Sequence, residues 1–221
     1  MFMSKEKNTI RQKKKIPLFI DADDTLLNSS ETFIDIINKQ DNINPPKTYD
    51  ELKDWKYLSL FHNMTGKRVK KIYESDEFFD IVKIEPKFIE FFNKHKDDIE
   101  ITIVTKGFFE NIQKKEKYFQ KHLPEAKVVG IPFCSKEEMG DEHCKANVCM
   151  KHGIQIDDRA DCLNGTLAET KILFKKDKDF YWNRETDVVQ DANNYIANTW
   201  DQIISILEYL IENPQYIKRC Y

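Results

Sequence analysis

Apolar residues run almost unbroken from Ile16 to Ile20, and carboxylates follow at once at positions 21, 23 and 24. A short run of this kind is the pattern of a strand buried on both faces of a parallel sheet. Pro17 stands at its start, where a missing N–H does least harm. Similar runs recur at Ile99–Val104, Val128–Ile131, Ile154–Ile156 and Lys171–Phe174. Between and around them the spacing turns helical. Asn28 to Ser30 can cap a helix carrying Phe33, Ile36 and Ile37, and Val69, Ile72 and Tyr73 suggest another. Phe88, Phe91 and Phe92 follow Pro86, and Ile112, Lys115, Tyr118, Phe119 and Leu123 share one helical face. A last helix opens with a Thr199–Gln202 capping box, carries Ile203, Ile206, Leu207 and Leu210, and stops at Pro214.

Strands alternating with helices predict a parallel sheet covered on both sides and joined by right-handed crossovers. From Asn28 to about Lys83 no strand pattern occurs; Pro45–Pro46 breaks the chain, and Thr48 with Glu51 restarts it as a capping box. The predicted architecture is therefore a three-layer, Rossmann-like α/β domain with a central parallel sheet, made of residues 16–27 and 84–214. A small helical cap, 28–83, is inserted after the first strand, and 1–15 form a basic, flexible amino-terminal tail.

Composition narrows the function. With 221 residues, 40% hydrophobic and 15 Phe, the chain can bury a real core, which excludes wholesale disorder. A net charge of −3 argues against nucleic acid as the main partner, and Arg11, Lys13, Lys14 and Lys15 read as a solvated arm. No stretch is apolar enough for a signal peptide or a membrane span, and five cysteines in a chain of this size read as reduced thiols. A cytoplasmic location is expected. Cys134, His143, Cys144, Cys149 and His152 lack the paired spacing of a zinc site and read as scattered small residues. Trp182 and Trp200 read as core or interface residues. "NMTGKRV" lacks the upstream Gly of a phosphate loop.

In an open α/β sheet, ligands gather at the carboxyl ends of the strands. Asp21 ends the first run, and Asp157 and Asp158 end "IQI". Like charges brought together there cost on the order of kilocalories per mole each, a cost that a magnesium ion relieves. Thr105, Lys106 and Gly107 end a third strand and offer a hydroxyl and backbone N–H groups to an anion; Lys145 adds a fixed charge, with Lys136 and Lys151 as competitors for that role. Carboxylates, magnesium, hydroxyl and lysine together suit a phosphate.

"LFIDADDTL", "ITIVT", a lysine and "IQIDDR", in that order, resemble the signature of the haloacid dehalogenase (HAD) superfamily, in its phosphatase branch. "IYESDEFFDIVKIEP", "EKYFQKHLPE", "KANVCMKHGIQIDDRADCLNG", "KILF" and "ANTWDQIISIL" further resemble the 5′(3′)-deoxyribonucleotidase family, a likeness running from about Leu18 to Leu210. The resemblance implies that Asp21 is the nucleophile and Asp23 the general acid and base. It implies that Asp21, the main-chain carbonyl of Asp23 and Asp158, in preference to Asp157, hold Mg2+, and that Thr105 and Lys145 grip the phosphoryl oxygens. Phe79 and Trp55 would line a base pocket under the cap, and Lys106 is a candidate phosphate contact. Three positions depart from the family: Asp24 in place of Gly, Lys106 in place of Ser, and Ser29 in place of an early cap aromatic. Asp24 is expected to be exposed or to cap the following turn.

The implied activity is magnesium-dependent hydrolysis of nucleoside or deoxynucleoside monophosphates through an aspartyl-phosphate. The substrate would be a small-molecule phosphate monoester, and a homodimer stays open. Alternatives are a phosphatase of another small ester such as a sugar phosphate, a non-catalytic phosphate- or nucleotide-binding module, and polynucleotide end processing.

Overall fold

The computed structural model describes residues 14–54, 56–133, 145, 148–149, 152–176, 178–184 and 193–217. Six strands form one sheet in the order β3-β2-β1-β4-β5-β6. They are β1 (Ile16–Asp21), β2 (Ile99–Gly107), β3 (Lys127–Pro132), β4 (Ile154–Asp157), β5 (Thr170–Phe174) and β6 (Asn194–Ala197). Every neighbouring pair is parallel. Parallel strands need crossovers: α4 (Pro86–His95) lies between β1 and β2, α5 (Phe109–His122) between β2 and β3, and α6 (Ala160–Asn164) between β4 and β5, while α7 (Trp200–Glu212) follows β6. The fold is the expected α/β one with helices flanking a parallel sheet.

Alternate side chains of β1 feed opposite faces. Leu18 and Ile20 join one core with Phe88 of α4, Phe119 of α5 and Ile203 of α7. Phe19 joins a smaller core with Val104, Ile131 and Cys149, and Leu173 of β5 packs with Ala160 and Leu163 of α6. Both faces of the central strands are thus buried, which is why their sequence is a run and not an alternation. Helix α5 lies close on β3: a Cβ at Gly130 would stand 2.0 Å from Ile112 Cγ2.

Between β1 and α4 lie α1 (Ser29–Gln40), a one-turn 3-10 helix (Tyr49–Glu51), α2 (Gly66–Tyr73) and α3 (Asp76–Ile81). The two ends of this segment are stitched together. Asn28 N donates to Lys83 O at 3.3 Å, Lys83 N to Asn28 Oδ1 at 2.8 Å, and Glu85 N to Leu26 O at 3.0 Å. Among the described residues no helix is long and apolar enough to cross a membrane.

Candidate active site

The strand order reverses direction at β1 and β4, and the acidic residues collect there. Asp21 is the last residue of β1 and is 7% exposed; Asp157 ends β4 and is fully buried; Asp158 follows it, half-buried. Beyond Asp21 the chain turns sharply, with Leu26 N and Leu27 N donating to Ala22 O at 3.1 and 2.7 Å. Asp24 takes the left-handed conformation in that turn (φ 55°), which an aspartate tolerates better than most residues. Its carboxylate accepts from Ser30 N at 2.8 Å and from the Ser30 hydroxyl, so Asp24 caps the start of α1. Ser30 Oγ in turn meets Tyr57 Oη at 2.9 Å, and Tyr57 Oη meets Tyr73 Oη at 2.6 Å. A buried polar chain therefore ties the turn after β1 to α2.

Lys145 lies across the strand ends. Its Nζ donates to Asp21 Oδ1 at 2.5 Å and to Asp157 Oδ2 at 2.7 Å. Burial disfavours its charge, but the Asp157 and Asp21 carboxylates outweigh this and hold its pKa well above the usual lysine range. Burial pushes Asp21 up to about 7; Lys145 opposes the rise, while Asp157 and Asp23 add to it. Burial and then the charges of Asp157 and Asp21 drive Asp158 well above the ordinary carboxylate range.

Oxygens of Asp21, Asp157 and Asp158 lie within 4.8 Å of one another. This all-oxygen set has the chemistry a hard divalent ion takes. Asp157 is occupied on both oxygens, by Lys145 and by Arg159 N at 3.1 Å. Asp158 Oδ2 accepts from Trp182 Nε1 at 3.1 Å, and among the described residues Asp158 Oδ1 and Asp21 Oδ2 have no hydrogen-bond partner. The carboxylate of Asp23 stands outside the trio.

Asp23 has its own grips. Ser29 Oγ donates to Asp23 Oδ1 at 2.7 Å, and Lys115 Nζ donates to Asp23 Oδ2. Lys115 also donates to Thr105 Oγ1 at 2.9 Å, and both Lys115 and Thr105 are fully buried. Two bonded groups therefore stand at the strand ends, Lys145 with Asp21 and Asp157, and Lys115 with Asp23 and Thr105. Lys115 was not among the candidates. Its signal was the lysine lodged in an otherwise apolar helical stripe, a position that a solvated lysine avoids.

The remaining candidates stand elsewhere or beyond view. Phe79 is half-buried against Phe78 (ring centroids 5.3 Å) and Tyr118 (6.1 Å), so its ring contacts are with α3 and α5. Phe78 is the fully packed member of the pair, 4.9 Å from Tyr73. Lys106 is half-buried with its Nζ 5.9 Å over the Phe133 ring. Trp55, Lys136, Lys151, Cys134, His143 and Cys144 lie outside the described residues. Cys149 is buried and donates to Gln155 Oε1 at 3.1 Å; burial, with the charge of Asp157, pushes its thiol up to about 12. His152 pairs with Glu169 at 3.5 Å. Trp182, read as a core or interface residue, packs against the core and stacks on Phe180 at 4.2 Å while its N–H serves Asp158.

No family model and no curated protein matches the chain. Solved structures do. A candidate phosphatase from Clostridium difficile superposes with a TM-score of 0.56 at 14% identity, over 88% of this chain and 99% of its own. A predicted phosphatase from Clostridium acetobutylicum gives 0.53 at 14% identity, over 89% and 99%. A candidate HAD-hydrolase from Bacillus subtilis, solved bound to magnesium, gives 0.50 at 16% identity, over 88% and 99%. At such identities the likeness is one of architecture: the six-stranded parallel sheet with its flanking helices is the HAD-type α/β fold.

Proposed function

We propose that the chain is a magnesium-dependent phosphatase that hydrolyses nucleoside or deoxynucleoside monophosphates through an aspartyl-phosphate. The observation that carries the phosphatase reading is the convergence of Asp21, Asp23, Thr105 and Lys145 at the carboxyl ends of β1 and β2, beside the acidic pair that ends β4. Binding alone needs no second carboxylate poised next to the first. The nucleotide preference rests on the quoted sequence stretches.

The Asp21 carboxylate attacks phosphorus and displaces the leaving alkoxide, which takes a proton from Asp23. Asp23, now ionised, accepts a proton from the water that attacks the aspartyl-phosphate, so inorganic phosphate leaves and Asp21 is regenerated. Lys145, fixed on Asp21, and the Thr105 hydroxyl hold the phosphoryl oxygens as charge moves. Asp21 and Asp158, with the main-chain carbonyl of Asp23, would hold Mg2+. That ion supplies positive charge which offsets the carboxylates and the phosphoryl group. Segment 28–83 would close over the leaving group.

A phosphate-release screen over nucleotides and sugar phosphates, with and without magnesium, tests the reading. Asp21→Asn is expected to lose phosphate release by at least about 1000-fold while its circular dichroism and melting stay cooperative. Normal hydrolysis by that variant would remove the nucleophile. A second reading, a phosphatase of another small ester, is favoured by Ser29, which is tied to Asp23 where the family carries an aromatic ring. Release from sugar phosphates alone would select it.

A further inference from the structure

We propose that Lys115 is a positioning residue for this chemistry, which sets the Asp23 carboxylate and turns the Thr105 hydroxyl toward the phosphoryl group. The inference rests on the phosphatase reading above and goes beyond the residues assigned there.

An ammonium group is a donor only, with three N–H bonds and no lone pair. Where Lys115 Nζ lies 2.9 Å from Thr105 Oγ1, the threonine oxygen must accept. Its own proton is then free to be donated, and among the described residues it has no acceptor. Thr105 sits fully buried near the end of β2, one residue past the register partner of Asp21, so that proton has the phosphoryl site as its natural acceptor. The same ammonium donates to Asp23 Oδ2 while Ser29 holds Asp23 Oδ1. Both carboxylate oxygens are thereby engaged, and the plane of Asp23 is fixed between two donors from different helices.

The helix that carries Lys115 is itself firmly seated. Ile112, three residues earlier and on the same side of α5, packs directly on Gly130 of β3, where even a methyl group would collide. Asn111 Nδ2, one turn before Lys115, donates to Tyr73 O at 2.7 Å. A mere charge-balancing lysine would need neither the contact with Thr105 nor full burial. Lys145 already neutralises the nucleophile's side of the site. Lys115 serves the other side, where the leaving group gains its proton.

The test uses the full chain with p-nitrophenyl phosphate and magnesium. Lys115→Met keeps the length and apolar stem but loses the charge and every donor. Its kcat is expected to fall about 100-fold, in the range general acid–base contributions reach, with KM within threefold of wild type. Because Lys115 acts partly through Asp23 and partly through Thr105, the double variant Asp23→Asn/Lys115→Met is expected to lose less than the product of the two single losses. A kcat within threefold of wild type, a loss confined to KM, or losses that multiply in the double variant would each overturn the proposal. Should Lys115→Met fail to fold, the wild-type protein crystallised with orthovanadate and magnesium decides. Thr105 Oγ within hydrogen-bond reach of a vanadate oxygen, with Lys115 still on Asp23, supports the proposal; Lys115 swung off both defeats it. An inactive wild type, or an Asp21→Asn variant of wild-type activity, would bring down the phosphatase reading itself. An unaffected Lys115→Met in an enzyme that Asp21→Asn silences would bring down this inference alone.

Discussion

At the scale of single residues, the acidic cluster is set by neighbours that do not touch phosphate. Trp182 donates its indole N–H to one oxygen of Asp158 and stacks on Phe180, so the carboxylate is held by a ring that is itself seated. Trp182→Phe keeps the stacking and removes the donor. It is expected to weaken magnesium binding about 10- to 100-fold, the usual cost of losing an outer-shell partner, read as the shift of midpoint in a magnesium titration. Asp21, Asp23, Thr105, Asp157 and Asp158 were legible because each sits at or just beyond the end of an apolar run, where a polar residue has a reason to be. Lys145 was legible only as the favoured one of three lysines in the same stretch, and the structure places it on Asp21 and Asp157. Lys115 was placed on the buried face of its helix and Trp182 among core or interface residues, as found, but the polar contacts of their end atoms were not foreseen. Periodicity reports which face a side chain is on, and says nothing of what its terminal atom reaches.

At the scale of elements, the runs bounded β1 to β5 within about two residues or better at most ends. The well-buried β1, β4 and β5 leave a plain apolar signature, and the part-exposed edge strand β3 still shows Val128, Val129 and Ile131. The other edge strand, β6, was missed: it has four residues, with Ile196 at 41% exposure, and too few apolar positions to make a run. The six-residue α3 was missed as a separate helix, since it is too short for a period to show; Ser75, whose hydroxyl accepts from Phe78 N at 3.1 Å, is the signal that was there. Helices α1 and α2 are clamped by a two-pronged pair, Arg68 Nη1 and Nη2 donating to Asp41 at 2.9 and 2.6 Å. That bonding holds the Asp41 carboxyl below its ordinary range, against a small opposing effect of burial. A depressed carboxylate contributes stability above its unfolded pKa of about 4, and the contribution is lost as pH falls through the lower folded value. Asp41→Asn is therefore expected to lower stability at pH 7 by about 1 kcal/mol or less, both partners being part-exposed, and the difference from wild type should close below about pH 4. Denaturant melts at pH 7 and pH 3 check this; a gap that persists at pH 3 would assign the loss to packing.

At the scale of the whole molecule, the ammonium groups hydrogen-bonded to Asp21, Asp23, Asp157 and Asp158 among the described residues are those of Lys115 and Lys145, so four carboxyls meet two lysines. Magnesium is accordingly expected to raise the melting temperature. At a hundredfold excess over Kd a ligand stabilises by about 2.7 kcal/mol, and in a chain of this size each kcal/mol moves the midpoint by about 2–4 °C. Chelation should reverse the gain, and Asp158→Asn should abolish it; an equal gain in that variant would place the ion elsewhere. The residues proposed to select the substrate were least legible, because Phe79 and Phe78 differ by one position and only packing decides which is turned inward.

The stitched neck at Asn28 and Lys83 makes the segment between them look like a cassette that evolution could exchange without disturbing the sheet. Yet Ser29 and Ser30, the first residues inside that neck, hold Asp23 and Asp24, and Tyr57 continues the tether. A graft carrying a foreign insert would keep Asp21 and forfeit the grip on Asp23. Under the proposed mechanism, selectivity and reactivity would then be heritable only as a package, and descendants that change one would have to rebuild the first turn of α1 to keep the other.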